Sequence, residues 1–214
     1  MPVAEAKQLI RRVFRKRLKN PVVIAGLGRC GTTLLFRAIA DTVSNLRRFV
    51  VDLDSHDFRN DLIKTHDYPP SQALPAGTKV VFMFGDIVDT VLSTASEVDK
   101  WPRLHFKHLR VPEAYRPYTD IFERDLLQFE SLFDAWYRPQ TFSLMTLRYE
   151  SMYDPAARRA LQQFLGLEFG LPAYRPRRTD KASHPFTLRV QETYASLDRR
   201  IETAEDYKIW KVRG

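Results

Sequence analysis

One short stretch of the chain has the residue types and spacing that bind a phosphate group. Within eight positions it holds three glycines, an arginine and two threonines: Gly26, Gly28, Arg29, Gly31, Thr32 and Thr33. Glycines let backbone N–H groups approach an anion closely, and the N-terminus of a following helix adds partial positive charge. The stretch is therefore predicted to bind phosphate. A tight turn without a ligand is the alternative, but a turn alone requires neither the arginine nor the paired threonines.

The stretch departs from the loop of ordinary nucleotide triphosphatases, G-x-x-x-x-G-K-[ST]. Gly26 and Gly31 have the right separation, but Thr32 occupies the lysine position, and the cation lies inside the loop at Arg29. Because that lysine reaches the γ-phosphate, its absence argues against hydrolysis of ATP or GTP.

A second pair of reactive side chains, Lys64 and His66, follows the apolar residues Leu62 and Ile63 and precedes two prolines. This pattern predicts that a short strand ends here. In open α/β sheets, ligands bind at the carboxyl ends of the strands. A lone histidine is usually structural, but a histidine two residues from a lysine, in a chain with a phosphate loop, is a candidate functional residue.

The segments around these residues predict the elements that position them. Val22 to Ala25 is an apolar run typical of a buried parallel strand, and apolar residues after the loop recur at helical spacing. Further strands are predicted at 48–53, 79–84 and 142–147, and further helices at 120–137, 155–165 and 188–204, with Asp86 capping another helix. The alternation predicts an α/β fold: a single domain over 21–214, with three α/β/α layers and a central parallel sheet.

Gly28-Arg29-Cys30-Gly31-Thr32-Thr33 resembles the 5′-phosphosulfate loop of the sulfotransferases that use PAPS (3′-phosphoadenosine 5′-phosphosulfate), usually P-[KR]-S-G-T-T. Gly28 replaces the proline and Cys30 replaces the serine, and both are small. Lys64-Thr65-His66, followed by proline, is similar to the family's K-T-H-x-P element. The resemblance implies that His66 is the base and that Lys64 and Arg29 hold the transferring group. It also implies a set of residues that bind the 5′ end of the donor: Gly28, Arg29, Cys30, Gly31, Thr32 and Thr33.

The segment from Asp86 to Ser93 is similar to the family's 3′-phosphate motif, R-[ND]-P-x-D-x-x-x-S, and implies that Asp86 and Ser93 belong to the donor site. Gly85 stands where the family has arginine. Loss of a hydrogen bond to a charged group, about 1.5–3 kcal/mol, weakens binding roughly tenfold to a hundredfold. Three interpretations stay open: another arginine reaches the phosphate, the donor binds weakly, or the donor is not PAPS. For the aspartates, helix capping is the simpler interpretation.

The family closes on the 3′-phosphate with a basic C-terminal loop, so the resemblance offers Arg177, Arg178 and Lys181 as replacements for the missing arginine. Tyr149-Glu150, followed by Phe164-Leu165-Gly166, resembles the family's Y-E-D…F-L-G segment. Residues 97–118 are irregular and aromatic-rich, and are expected either to line an acceptor pocket or to form a packed surface loop. His105 and His108 within them are alternative bases.

The chain has 214 residues and a net charge of +8, and its first 20 residues hold seven basic residues against one acidic. A helix is predicted at 4–19, basic on one side and apolar on the other. It would contact an anionic membrane surface or an anionic acceptor, or dock on the core with its charges in water. A nucleic-acid partner is not expected, since the rest of the chain is nearly neutral. The single cysteine fits a reducing compartment, so a cytoplasmic location is expected, with peripheral membrane contact through 4–19.

The residues and the resemblance together predict a sulfotransferase that moves a sulfuryl group from PAPS to a hydroxyl or amine, without a metal. The acceptor is a small molecule, a carbohydrate or a lipid. Two alternatives stay open: a P-loop phosphotransferase or kinase, and a nucleotide-binding module without catalysis. The chain is shorter than many family members, so the acceptor site is expected to be reduced or shared with a second subunit in a homodimer.

Overall fold

The structure, a computed structural model, describes residues 16–96, 118–174 and 180–210. Over these ranges, six strands form one sheet: β1 (Val22–Gly26), β2 (Arg47–Phe49), β3 (Leu62–Lys64), β4 (Lys79–Phe84), β5 (Ser143–Arg148) and β6 (Tyr207–Trp210). The α-helices over the same ranges are α1 (Thr32–Ala40), α2 (Ile87–Ala95), α3 (Phe129–Trp136), α4 (Pro155–Leu165), α5 (Thr187–Thr193) and α6 (Ala195–Thr203). Short 3-10 helices cover Tyr118–Phe122 and Glu150–Tyr153.

The strand order is β2-β3-β1-β4-β5-β6, and the first five strands are parallel, as predicted. β6 pairs antiparallel with β5. Because β1, β3, β4 and β5 point the same way, the loops that follow them emerge at one side of the sheet, here called the carboxyl edge. Val22 and Lys79 are paired at the opposite side, the amino edge.

Alternate residues of the buried strands enter two separate cores, one on each face of the sheet. On β4, Phe82 and Phe84 belong to the core under α2, α3, α5 and α6, and Val81 and Met83 belong to the core under α1 and α4. Phe82 stacks on Trp136 of α3, with ring centroids 5.7 Å apart. The two cores account for the three-layer α/β/α fold and for strands that are apolar on both faces.

The prediction for the second strand was wrong in extent, because only Arg47–Phe49 pairs with β3. The chain then leaves the sheet, and the buried carboxylate of Asp67 accepts the N–H of Leu53 and holds it away. The sequence pattern showed the apolar run but not this side-chain acceptor. β6 was not predicted at all.

The predicted helix at 120–137 begins only at Phe129. The carboxylate of Asp125 accepts the N–H groups of Phe129 and Glu130, at 2.9 and 2.8 Å, and so caps a new helix inside the apolar pattern. The predicted helix at 188–204 is divided at Tyr194, whose hydroxyl donates to the carbonyl of Ile121 at 3.0 Å.

The starts predicted for two other helices, and the end predicted for the second of them, are confirmed. Asp86 caps α2 through the N–H of Asp89, and Asp154 caps α4, which ends at Gly166 with φ 68°. Most of the predicted helix at 4–19 lies outside the described residues, and the prediction is wrong for the described part: residues 16–19 are not helical, and Lys16 forms a parallel bridge with Val43 instead. Residues 97–117, with His105 and His108, also lie outside the described residues.

Candidate functional site

The glycine loop joins β1 to α1 at the carboxyl edge and has an unusual backbone. Arg29 and Gly31 are both left-handed, with φ 62° and 76°. For a non-glycine residue such as Arg29 this conformation costs about 1–2 kcal/mol, so the surrounding contacts must hold it in place. At the start of the loop, the N–H of Leu27 donates to the carbonyl of Met83 on β4 at 3.0 Å and so ties the loop to the sheet.

The start of α1 is suited to an anion. No side chain caps this helix, and its first turn, which is within the described chain, contains no acidic residue. The first N–H groups of a helix have no partner within it and carry the positive end of its dipole. Thr32, which begins α1, is buried, and Thr33 is half-buried.

Packing alone explains two of the loop glycines. A Cβ at Gly26 would lie 2.5 Å from the carbonyl oxygen of Met83, and a Cβ at Gly31 would lie 2.3 Å from the ring of Tyr149. Tyr149 was noted in the sequence only as part of a resemblance, and its contact with the loop was missed. The two glycines therefore allow β4 and the ring of Tyr149 to pack close to the loop, whether or not an anion is bound.

Arg29 extends across to α2, where its Nε donates to the hydroxyl of Ser93 at 3.0 Å. The neighbouring Cys30 is fully buried, with its Sγ 3.3 Å from the hydroxyl oxygen of Thr90 on the same helix. The structure thus brings together Arg29 and Ser93, which the sequence had predicted to bind opposite ends of one donor.

Lys64 and His66 form a buried pair beside the loop, with 6% and 4% of their surfaces exposed. Nδ1 of His66 lies 2.7 Å from the carbonyl oxygen of Gly26, so Nδ1 must carry the hydrogen and donate it. Nε2 then has the lone pair, and it accepts a hydrogen bond from Nζ of Lys64 at 2.9 Å. Burial lowers the pKa of Lys64 from 10.5 to about 8.

This pair can respond to an anion. At pH 7 Lys64 is mainly an ammonium, and burial makes an anionic partner favourable. When the ammonium donates to such a partner instead of to His66, the Nε2 lone pair becomes able to accept a proton. The arrangement therefore places a buried cation and a potentially basic ring nitrogen side by side at the first glycine of the loop.

An exposed aromatic ring lies beside the pair and was missed in the sequence. Phe49, the last residue of β2, is 67% exposed. Its ring centroid lies 5.5 Å from Nζ of Lys64 and 5.1 Å from the ring centroid of Phe36. An open pocket of about 370 Å³ adjoins it, lined by Arg48, Phe49, Val50, Val51, Asp52, Ser55 and His56. The pKa of His56 is lowered, chiefly by burial. A three-residue edge strand carries no periodic signal that would show which of its residues are exposed.

The residues near Gly85 are already paired. One carboxylate oxygen of Asp86 caps α2, and the other lies 2.5 Å from Nζ of Lys181. The hydrogen bond with Asp86 raises the pKa of Lys181. Lys181 is thus beside the predicted donor site but neutralised there, whereas Arg177 and Arg178 lie outside the described residues.

The described ranges contain neither a metal-binding cluster nor a membrane-spanning helix. Among those residues, no three or more histidine, cysteine, aspartate or glutamate side chains come together as a metal site. Every helix within the same ranges is too short or too polar to cross a bilayer.

The chain was compared with known families, curated proteins and solved structures. No family model matches it, and no curated protein matches it in sequence. Among solved structures, it is similar to the mouse sulfotransferase SULT7A1 complexed with PAP, with a TM-score of 0.47 and 15% identity. That match covers 95% of this chain and 73% of the mouse chain. A likeness this distant does not extend to activity.

Proposed function

We propose that this protein is a sulfotransferase that moves a sulfuryl group from PAPS to a hydroxyl or amine. The observation that carries the proposal is the buried Lys64–His66 pair, held against the carbonyl of Gly26 at the start of the loop that is predicted to bind an anion. A base and a cation in contact, next to an uncapped helix N-terminus, are the groups that transfer from an anionic donor needs.

The residues present fit a nucleotide with a charged group at each end. The loop amides and the hydroxyls of Thr32 and Thr33 would hold the 5′ end, and Arg29 with Ser93 would hold a 3′-phosphate. When bound, PAPS supplies the sulfuryl group and a stable leaving group. Arg29 would in this way supply the positive charge that Gly85 lacks.

His66 has the clearest role. The carbonyl of Gly26 keeps the hydrogen on Nδ1 and would stabilise the ring when Nε2 takes the acceptor's proton. The ammonium group of Lys64 would exchange its hydrogen bond to Nε2 of His66 for one to the anionic donor. There it would stabilise the negative charge that develops during transfer. No metal has a part in this scheme.

The acceptor would approach from the side of Phe49. The exposed ring and the adjoining pocket of about 370 Å³ are large enough for a small ring or one sugar unit. Small-molecule, carbohydrate and lipid acceptors all stay within the proposal, as does a second subunit that completes the pocket.

Calorimetric titration with 3′,5′-adenosine bisphosphate, 5′-AMP and magnesium-ATP tests the proposal. We expect the bisphosphate to bind at least about tenfold more tightly than AMP, because Arg29 and Ser93 recognise the second phosphate. Strong binding of magnesium-ATP with weak binding of the bisphosphate would refute it. That result would favour the second candidate, a phosphotransferase that uses ATP. Gly85 supports this candidate, because ATP has no 3′-phosphate and so does not need the arginine that Gly85 replaces.

Transfer is then measured with labelled PAPS and a panel of acceptors, with His66→Asn as the matched variant. Asparagine can still donate to the carbonyl of Gly26 but lacks a basic nitrogen. We expect unchanged bisphosphate binding and a rate lower by about 10²- to 10⁴-fold. An unchanged rate would show that His66 is not the base.

A further inference from the structure

The amino edge of the sheet, opposite the candidate site, carries a positively charged pocket. Its volume is about 370 Å³, and its lining comprises residues 16–22, Gly77, Lys79 and residues 165–167. Four of these lining residues are cationic: Lys16, Arg17, Lys19 and Lys79. None of the lining residues within the described part of the chain is acidic. The proposed function uses none of these groups.

Residues 16–19, which supply three of the cations, are anchored to the rest of the protein. Leu18 is buried, and the side chain of Asn45 both accepts its N–H at 2.6 Å and donates to its carbonyl at 3.3 Å. Arg17 and Lys19 flank Leu18 and are exposed. The anchored leucine therefore directs a cation outward on either side.

Helix compensation accounts for only part of this charge. Nζ of Lys16 donates to the carbonyl of Gly166 at the C-terminus of α4, with a distance of 3.4 Å. The negative end of a helix dipole amounts to about half an elementary charge, against four unit charges around the pocket. Most of the positive charge is therefore left for an external anion.

The sequence before the pocket residues, 1–15, is also basic. Residues 1–15 add four basic side chains and an apolar set at helical spacing: Lys7, Arg11, Arg12 and Arg15, with Leu9, Ile10, Val13 and Phe14. Basic and apolar residues in this alternation bind the surface of anionic bilayers, whereas a free anion offers nothing to the apolar set.

We propose that the amino edge binds the surface of an anionic phospholipid bilayer, with lipid phosphates at the pocket formed around Arg17 and Lys19. The six residues of β4 separate the two edges by about 17 Å. The candidate site would then open away from the bilayer, so an acceptor in the same membrane lies out of reach. Of the acceptor classes left open by the proposed function, on which this point rests, the orientation therefore selects a water-soluble acceptor over a lipid in the same membrane.

Sedimentation of the full chain with phosphatidylcholine vesicles, with and without about 30% phosphatidylserine, tests the proposal. We expect binding only with phosphatidylserine, weakening with salt. The variant Arg17→Glu/Lys19→Glu should reduce the partition coefficient about 30-fold or more, since each basic residue contributes roughly fivefold at such a surface. Arg158→Glu/Arg159→Glu on α4 makes the same change of charge at exposed positions away from the pocket, and should keep most of the binding.

Three results would overturn the proposal. The protein could bind both vesicle types equally, the two glutamate variants could lose vesicle binding equally, or Arg17→Glu/Lys19→Glu could lose none. Binding of single-stranded RNA but not vesicles, lost in Arg17→Glu/Lys19→Glu, would also overturn it and indicate a nucleic acid. Circular dichroism checks folding, and Arg17→Gln/Lys19→Gln repeats the test without introducing negative charge. Titration of each variant with adenosine bisphosphate keeps this test separate from that of the proposed function, because neither outcome depends on the other.

Discussion

Replacing Lys64 with methionine should stabilise the fold at pH 7 and abolish transfer. The buried ammonium has its pKa lowered from 10.5 to about 8 by loss of solvent, which corresponds to a cost of about 3 kcal/mol for the charged form. Methionine fills similar space without charge. It loses the hydrogen bond to Nε2 of His66, about 1 kcal/mol, so the net gain is about 2 kcal/mol.

The gain should depend on pH in a defined direction. The folded-state pKa of Lys64 lies below the unfolded value, so between about pH 8 and 10.5 the unfolded chain binds more protons than the folded chain. The stability contribution of Lys64 therefore increases as pH rises through this window. The advantage of the methionine variant should shrink over the same range and vanish by about pH 10.5.

Urea unfolding of both proteins at about pH 7 and pH 9.5 measures the effect. A gain of about 2 kcal/mol corresponds to a rise of roughly 4–8 °C in Tm for a chain of this size. Lys79→Met, at the other edge of the sheet and partly exposed, is the matched control and should show no such gain. A Lys64→Met protein that is less stable at pH 7, or whose difference from wild type is the same at both pH values, would refute the reasoning.

Four further substitutions test the loop, a helix cap and the donor cations. Gly31→Ala should destabilise the fold by about 1–2 kcal/mol in urea and abolish bisphosphate binding, because φ is 76° and the ring of Tyr149 occupies the Cβ position; wild-type affinity would contradict this. Asp125→Ala should cost about 2 kcal/mol in the same assay through the loss of two hydrogen bonds at the start of α3, and a change within about 0.5 kcal/mol would show that they contribute nothing. Arg29→Ala should weaken bisphosphate binding about tenfold or more by calorimetry. Lys181→Ala should weaken it less than about threefold, since Lys181 is already paired with Asp86. A larger loss in Lys181→Ala than in Arg29→Ala would assign the 3′-phosphate to the C-terminal segment.

The sequence predicted β1 and β3 correctly, because in each a buried apolar run leads directly to glycine or polar residues. β1 ends at Gly26 and β3 ends at Lys64, so the loop after Gly26 and the pair Lys64 and His66 could be assigned to one edge of a parallel sheet. The chemistry of the pair was an inference from type and spacing. Its hydrogen-bonded order, from Gly26 through His66 to Lys64, required the structure.

The direction of Arg29 could not be predicted from the sequence. It follows from a left-handed backbone and from the packing of the loop against α2, which brings Ser93 within 3.0 Å across 64 residues of chain. Asp125 and Tyr194 escaped prediction for a related reason. Each interrupts an apolar pattern through a hydrogen bond that depends on tertiary position.

Cys30 gives the loop a reporter of its own motion. It is the one thiol in the chain, and it is fully buried between the loop and Thr90. A thiol reagent can reach it only when the loop leaves α2, so the rate of its alkylation equals the opening probability of the loop multiplied by the intrinsic rate of an exposed thiolate. One unmodified residue thus converts the local stability of the loop into a chemical rate, without a label that would disturb it.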